Sequence, residues 1–430
     1  MKTTSPLTAV LLVLVLQTVA PADDWPQWRG PNRDGVWRET GIVDKFDAPE
    51  IKPRWRVPIA GGYCGPTVAD GRVYVADRVT EPRQMERVHC FEWKSGKKLW
   101  THEYDCEYKI SYTAGPRASI TVDDGRAYML GSMGHFCCLD AASGKLLWKK
   151  DPVDDFHAKV PIWGVAAAPL VEGESVILQI GGADGACVVA LDRKTGKRRW
   201  AALDDPASYC APIAVEHVGR RVVVVRTGTR AVGLNAGNGE VYWQHELGYA
   251  KWVIAIATPV VYEDRLFFCS VDKGSLVLRM LRDEPRVEKL WWRYGPNEKQ
   301  TDSLQSLIGT PCLIDGHAYG ASLYGMLRCI ELEKGDRLWA NDTVTSQARW
   351  GTVHIVRNGR HAWMFNDRGE LIIAQLTPQG YREIDRATLI EPTTGQLRRR
   401  DGVTWSHPAF AYKHVFIRND EALVCASLGM

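Results

Sequence analysis

The residues of this chain best suited to binding chemistry are aromatic side chains that recur shortly before or within predicted strands. They are Tyr63, Tyr112, Trp163, Tyr209, Trp252, Trp350 and Trp405, with Ser111, Lys251, Gln305, Arg349 and His407 beside them. If these side chains meet at one mouth of a channel, they form an aromatic funnel with a few cations. Such a surface suits a planar anionic ligand, an extended peptide or a glycan. The alternative is that the rings only fill the hub of the fold.

From this pattern we predict an aromatic binding site with a few cations at one mouth of a central channel. Its expected residues are Tyr112, Trp163, Tyr209, Lys251, Trp252, Arg349, Trp350, Trp405 and His407. We predict no catalytic residue and no metal site, because G-x-S-x-G, a P-loop and C-x-x-C are all absent and the histidines are dispersed. The glycine-rich residues 181–185 are expected to form a loose hairpin.

Eleven cysteines occur, an odd number with no paired spacing. Several stand in strand-like runs, where cysteine behaves as a small apolar residue. Most are therefore expected to be buried free thiols, and Cys106 and Cys187 are the best candidates for a disulfide.

The element that must position these residues is an eleven-residue repeat. In its clearest copy, Ala190 to Trp200, a small residue comes first, a polar residue third, glycine seventh and tryptophan eleventh. The polar residue and the glycine at the centre of the repeat favour a tight turn. The tryptophan needs a small neighbour against which its ring can pack. The predicted docking residues are Trp55, Gly96, Trp100, Gly144, Trp148, Gly196, Trp200, Gly239, Trp243, Trp292, Gly335 and Trp339.

The tryptophans Trp55, Trp100, Trp148, Trp200, Trp243, Trp292 and Trp339 follow one another at intervals of 45, 48, 52, 43, 49 and 47 residues. A period in the forties with several short strands per repeat is typical of a β-propeller with four strands per blade. We predict an all-β, eight-bladed propeller of antiparallel blades. Seven blades remain an alternative, since Asp283–Pro285 replaces one docking turn and Ile384 replaces one tryptophan.

The two ends of the chain are expected to share one blade. The strand at Trp55 has no strands before it, and only three strand-like runs, beginning near His407, Val415 and Leu423, follow the seventh blade. Joining them removes an open sheet edge and closes the circle.

The repeat resembles the tryptophan-docking motif of the pyrroloquinoline quinone (PQQ) repeat family, over about residues 53–430. That family includes eight-bladed alcohol dehydrogenases and the non-catalytic lipoprotein of the outer-membrane β-barrel assembly machine, and the likeness here leans to the second. The resemblance implies PQQ and Ca²⁺ only for the dehydrogenase branch, where PQQ stacks between a tryptophan and a vicinal disulfide. Cys137–Cys138 matches the docking register instead, and no segment carries the Ca²⁺ ligands. We therefore predict no cofactor.

Residues 1–22 read as a secretory signal peptide, with Lys2, an apolar run from Leu7 to Leu16 and an A-x-A pattern at Ala20–Ala22. Residues 23–52 are a Trp/Pro-rich segment, in which Trp25 and Trp28 are expected to pin the chain across the propeller. A functional alternative has Arg29 or Asn32 closing a pocket.

The predicted protein is a periplasmic or secreted monomer without a lipid-anchor cysteine or a remaining membrane span. Its net charge of +3 gives no argument for nucleic acid. The predicted function is a binding or scaffold module for another exported protein, a peptide or a saccharide, and the alternative is a PQQ-dependent dehydrogenase of alcohols or aldose sugars.

Overall fold

The computed structural model describes residues 23–250, 252–297, 299–398 and 401–430. Within them, thirty-two strands form eight four-stranded antiparallel sheets arranged as the blades of a ring. One short helix, α1 (Pro152–Phe156), interrupts a connection between blades. The prediction of an all-β, eight-bladed propeller is confirmed. Among the described residues, no helix has the length and apolar character needed to cross a membrane.

The strands follow the chain blade by blade. The first strand is β1 (Trp55–Pro58), and blade 1 is β2 (Thr67–Ala69), β3 (Arg72–Val79), β4 (Met85–Glu92) and β5 (Lys98–Asp105). Blade 2 is β6 (Thr121–Asp123), β7 (Arg126–Leu130), β8 (Phe136–Asp140) and β9 (Leu146–Lys150). Blade 3 is β10 (Leu170–Glu172), β11 (Ser175–Gln179), β12 (Val188–Asp192) and β13 (Arg198–Ala202). Blade 4 is β14 (Ile213–His217), β15 (Arg220–Arg226), β16 (Arg230–Asn235) and β17 (Val241–Glu246).

Blade 5 is β18 (Val260–Tyr262), β19 (Arg265–Ser270), β20 (Gly274–Met280) and β21 (Val287–Arg293). Blade 6 is β22 (Cys312–Ile314), β23 (His317–Ala321), β24 (Leu327–Glu331) and β25 (Arg337–Asn341). Blade 7 is β26 (Val353–Asn358), β27 (His361–Asn366), β28 (Glu370–Thr377) and β29 (Gly380–Thr388). Blade 8 is β30 (Ala409–Ala411), β31 (His414–Arg418) and β32 (Ala422–Ser427), completed by β1.

The ring closes where the chain's two ends meet. Strand β1 pairs antiparallel with β32, and Trp55 stands opposite Cys425. The prediction that the N-terminal strand completes the last blade is confirmed. Closure removes two free sheet edges, whose unpaired backbone groups would otherwise be open to other chains.

Neighbouring blades are joined by the tryptophan repeat. The ring of Trp100, on β5 of blade 1, covers Gly144 in the β8–β9 turn of blade 2, and its Nε1–H donates to the Ala141 carbonyl at 3.2 Å. A register shift between Cys138 and Leu139 accompanies this arrangement. The same geometry joins Trp55 to Gly96, Trp148 to Gly196 and Trp200 to Gly239.

Blade 5 corrects one predicted docking residue. Trp291, not Trp292, covers Gly335 and donates its indole N–H to the Leu332 carbonyl at 2.8 Å. Adjacent strand residues face opposite sides of a sheet, so only one of the pair can reach blade 6. Trp292 instead donates to the Lys273 carbonyl at 2.7 Å. The repeat spacing alone does not decide between two neighbouring tryptophans.

The two irregular copies weaken the docking without removing a blade. Blade 5 carries no docking glycine, and the indole N–H of Trp243 finds no hydrogen-bond acceptor among the described residues. At blade 7, the Trp339 indole N–H still donates to the backbone carbonyl at the fourth position of the repeat, which is here Thr377, at 2.9 Å. A β-carbon placed at Gly380, however, would have no atom within 4 Å, so no ring covers this glycine. Hydrogen-bonded four-stranded sheets form in both places, which rules out the seven-blade alternative.

Candidate functional site

One pocket lies at the hub of the propeller, with about 1110 Å³ of empty space including its open mouth. Every blade contributes to its wall, from its innermost strand or from the connection that precedes this strand. This follows from the topology, because each connection returns from the rim to the hub before the next blade begins. The lining residues are Trp28, Tyr63, Tyr112, Arg117, Ser119, Trp163, Ala166, Ala168, Tyr209, Ala211, Ile254, Ile256, Thr258, Leu307, Ile308, Trp350, His354, Trp405 and His407.

The structure brings most of the predicted funnel residues together here. Those that line the pocket are Tyr112, Trp163, Tyr209, Trp350, Trp405 and His407. Their rings touch in pairs: the Trp163 and Tyr209 centroids are 5.7 Å apart, and those of Tyr112 and Trp405 are 6.0 Å apart.

The other three predicted residues do not line the pocket wall. The Trp252 ring lies 6.3 Å from that of Trp163 and is half exposed, and the Arg349 guanidinium lies 4.2 Å from the Trp350 ring centroid. Both residues therefore flank the wall at its mouth. Lys251 lies outside the described residues.

Two of the aromatic residues hold a backbone conformation that bulky side chains rarely adopt. Tyr112 has φ of 58° and Trp350 has φ of 75°. The left-handed conformation costs a residue other than glycine roughly 1–2 kcal/mol, and such strain gathers at functional sites. The Trp350 N–H and that of the following glycine both donate to the Leu323 carbonyl, at 2.8 and 3.1 Å, which holds the indole in the wall.

Arg117 provides a cation in the pocket wall that the sequence pattern did not single out. Its guanidinium lies 4.9 Å from the Tyr63 ring centroid and donates to the carbonyls of Ser111, Tyr112 and Gly115 and to the Ser132 hydroxyl. Burial lowers the pKa of Arg117 from its ordinary value. Its one sequence signal is its place directly after Pro116, near the start of an innermost strand.

The floor of the pocket is sealed by Trp28 from the N-terminal segment. Its indole N–H donates to the Thr258 hydroxyl at 2.7 Å, and its ring packs edge-on against His407 at 4.5 Å. Hence Trp28, and not Arg29 or Asn32, closes this pocket. Arg29 and Arg33 lie below the floor, where the Arg33 guanidinium donates to the carbonyls of Ala168, Pro169 and Pro212.

Two buried histidines stand beside this floor, with ring centroids 6.1 Å apart. Burial lowers the pKa of His354 to about 4 and that of His407 to about 3, so both imidazoles are neutral near pH 7. The His354 Nε2–H donates to the Trp405 carbonyl at 2.8 Å, and His407 Nε2 accepts from the Ser119 hydroxyl at 2.7 Å. Each imidazole is thus held in place by at least one hydrogen bond within the protein.

The cysteines form no disulfide, and all eleven are buried free thiols. The expected pairing of Cys106 with Cys187 is therefore wrong. Cys106 Sγ lies 3.7 Å from His135 Nδ1, while His135 Nε2 lies 3.8 Å from an Asp151 carboxylate oxygen. Burial raises the pKa of the Cys106 thiol, which disfavours the thiolate that a nucleophile requires.

The pocket does not fit a quinone site that is organised around Ca²⁺. Calcium prefers carboxylate and carbonyl oxygens. No Asp or Glu among the described residues lines the pocket, and no cluster of three or more metal-ligating side chains occurs in the described parts of the chain. Cys137 and Cys138 lie on β8, with Cys138 opposite Trp148 at the docking position and neither residue in the pocket wall.

A family model described as outer membrane protein assembly factor BamB matches residues 84–341. The chain is also 25% identical over 207 residues to the quinohemoprotein alcohol dehydrogenase of Comamonas testosteroni. That match covers 45% of this chain and 28% of the enzyme, so the chain matches only about a quarter of this relative's length.

Solved structures give the same two branches. BamB from Moraxella catarrhalis superposes with a TM-score of 0.61 at 17% identity, covering 87% of this chain and 99% of that one. The Comamonas testosteroni quinohemoprotein alcohol dehydrogenase superposes with a TM-score of 0.65 at 12% identity, covering 94% and 80%. At these identities the two likenesses describe the fold only.

Proposed function

The chain belongs to the family whose model is described as outer membrane protein assembly factor BamB, and from this membership we propose that it is a non-catalytic binding module for another protein. The docking surface is the pocketed mouth of the propeller. The proposed setting is the periplasm or the cell exterior, with the protein acting as a monomeric platform.

The observation that supports this proposal most strongly is the chemistry of the pocket wall. Aromatic rings converge from several blades, and no carboxylate among the described residues faces the space they enclose. Large, rigid aromatic side chains give much contact area at little entropic cost, and they dominate protein-binding surfaces. An oxidation that uses general-base catalysis would require a proton acceptor, and no carboxylate among the described residues lines the pocket for that role.

The experiment fills the pocket without disturbing the blades. Ala166 lines the pocket and is partly exposed, so Ala166→Phe places a ring in the open space. Leu147→Phe, on an exposed position of β9, is the matched control. Partners captured from the host's envelope extract by the wild type would be identified, purified and titrated against all three proteins.

We expect Ala166→Phe to weaken the purified partner's binding at least about tenfold, while Leu147→Phe leaves it unchanged. Trp163→Ala should weaken it as well, with a melting temperature close to that of the wild type. Equal affinity for all variants would remove the pocket from the proposed interface.

A second candidate is a PQQ-dependent dehydrogenase, favoured by the 25% identity to the quinohemoprotein alcohol dehydrogenase. The purified protein would be titrated with PQQ and Ca²⁺ while dye reduction by alcohols and aldose sugars is followed. Turnover above that of a heat-denatured sample would overturn the binding-module proposal. Absence of both binding and turnover would exclude the dehydrogenase.

A further inference from the structure

Several polar groups of the pocket wall are hydrogen-bonded within the protein. The Tyr63 hydroxyl donates to the Gln396 carbonyl at 3.0 Å, and Thr258 already accepts from Trp28. The two floor histidines are bonded as described above. A saccharide is held by several free donors and acceptors together with ring stacking. The wall therefore offers mainly apolar stacking surface, with the buried Trp405 indole N–H as a donor that has no acceptor among the described residues, and this favours an aromatic group over a sugar.

The pocket is blind, because Trp28 closes it from below. A ligand must therefore enter from the mouth, and a side chain carried on a larger protein can do so while the rest of that protein stays outside. The half-exposed ring of Trp252 lies 6.3 Å from that of the wall residue Trp163, and the exposed Ile162 directly precedes Trp163 in the chain. They extend the apolar surface beyond the pocket. Such a surface keeps water away from a partner's anchor residue that is buried in the pocket.

The charge of the wall adds a second requirement. All four hydrogen-bond acceptors of Arg117 are neutral oxygens. The buried Glu86 carboxylate accepts from the hydroxyls of Tyr104 and Tyr108 and from the Ser132 N–H at 3.0 Å. No hydrogen bond joins it to Arg117 among the described residues, but its negative charge partly offsets the lowering of the Arg117 pKa by burial. A guanidinium at the edge of an apolar pocket favours a carboxylate on the incoming ligand.

From these observations we infer that the pocket receives an aromatic side chain from an acidic segment of the partner protein. The ring would stack among Trp163, Tyr209 and Trp405, and a neighbouring carboxylate would approach Arg117. This inference rests on the proposed binding function, and it names the class of segment that such a partner presents.

Matched peptides test the inference on the full-length mature protein. Acetylated and amidated Asp-Trp-Asp, Asn-Trp-Asn and Asp-Ala-Asp tripeptides, with maltotriose as the sugar, would be compared by ligand-observed NMR and calorimetric titration. Asp-Trp-Asp should bind about tenfold more tightly than Asn-Trp-Asn, the size expected for a hydrogen bond to a charged group, and Asp-Ala-Asp should not bind measurably. Added salt should narrow the difference between the first two peptides.

Variants of the protein then separate the contribution of the aromatic ring from that of the carboxylate near Arg117. Ala166→Phe should abolish binding of both tryptophan peptides, whereas Leu147→Phe should leave it intact. Arg117→Gln should equalise their affinities. If that variant does not fold, the comparison of charged and neutral peptides on the wild type still decides the question.

The contrary outcomes are separable. Equal binding of Asp-Trp-Asp and Asn-Trp-Asn would overturn the role given to Arg117. Binding of maltotriose without the peptides would overturn the choice of ligand while leaving a binding module in place. Failure of every probe, together with dye reduction in the PQQ titration, would overturn the proposed function itself.

Discussion

A tryptophan side chain combines a large apolar ring with a single hydrogen-bond donor, and the docking repeat uses both properties. In the regular copies the ring covers a glycine of the next blade, and the indole N–H finds the carbonyl of the fourth repeat position. The indole N–H therefore has a hydrogen-bond acceptor in a place that water does not reach, because the indole ring itself covers that place. The register of a single residue therefore decides whether two blades are joined, as the neighbouring pair Trp291 and Trp292 shows.

The first prediction separates these two tryptophans. Trp291→Ala should lower the free energy of unfolding by about 3–5 kcal/mol, the usual cost of removing a buried large aromatic side chain. Trp292→Ala should cost clearly less, because its ring is partly exposed and packs against the exposed Tyr294. Urea unfolding followed by circular dichroism measures both. A larger effect at Trp292 would reverse the assignment.

At the scale of the element, each regular docking turn between the last two strands of a blade contains a glycine that is covered by the tryptophan ring of the preceding blade. Gly144 and Gly125 have nearly the same positive φ, 73° and 69°. A β-carbon at Gly144 would lie 2.5 Å from the Trp100 ring, whereas one at Gly125 would meet nothing within 4 Å. The two turns therefore share the backbone requirement and differ in the packing requirement.

The second prediction uses this matched pair. Gly125→Ala should cost about 1 kcal/mol of unfolding free energy, the penalty for a positive φ in a residue with a β-carbon. Gly144→Ala should cost about 1–3 kcal/mol more, because it must also displace the indole. Chemical denaturation of the two variants gives the difference. Equal costs would show that the blades do not depend on this contact.

The N-terminal segment behaves as an element of the propeller although it contains no long strand. Trp25 forms a bridge to Val68 of blade 1, and Val36 forms one to Arg357 of blade 7. Trp37 is buried, 5.5 Å from the ring of Trp363 and 5.0 Å from that of Phe410. This segment thus ties together blades that lie on both sides of the point of closure.

The third prediction tests that role with adjacent residues. Trp37→Ala should lower the free energy of unfolding by about 3–5 kcal/mol, since it empties a packed aromatic cluster. Arg38→Ala removes an exposed pair with Asp34 and should change it by less than about 1 kcal/mol. Thermal unfolding in one buffer compares them. A small effect at Trp37 would mean that the segment only rests on the surface.

At the scale of the whole molecule, eight blades converge on a hub whose interior is apolar, open at its mouth and covered at its floor by the N-terminal segment. The two histidines at the pocket floor come from blades 7 and 8, and the N-terminal segment covers them. Their depressed pKa values are a consequence of closure, because the ring and the segment together remove the water that would stabilise imidazolium.

The fourth prediction follows from this linkage. Both folded-state pKa values, about 4 and about 3, lie below the ordinary value of 6.5. Below pH 6.5 the unfolded chain therefore binds more protons, and stability is lost as the pH falls from 6.5 towards 4. Each histidine should contribute a slope of up to about 1.4 kcal/mol per pH unit.

Unfolding free energies measured from pH 7 to 4.5 would give this slope, in a window above the ordinary pKa values of carboxyl groups. His354→Gln keeps a donor for the Trp405 carbonyl and should reduce the slope. An unchanged slope would place the titrating groups elsewhere in the molecule.

The sequence determined the architecture of this protein because the repeat is local. A turn with its glycine, a small residue and a tryptophan lie within eleven residues, and their period sets four strands per blade and the sharing of the last blade by the two ends of the chain. The pattern of aromatic residues before the innermost strands likewise predicted most of the tyrosines and tryptophans in the pocket wall.

Only the tertiary structure decided what depends on contacts between distant segments. The choice of Trp291 over Trp292, the sealing of the pocket by Trp28 and the burial of Arg117 against Tyr63 arise from packing across blades, which no local spacing encodes. The structure also decided the state of the eleven cysteines, which are all buried free thiols. The repeat specifies how each blade joins the next, and the closed ring specifies which side chains meet at its centre.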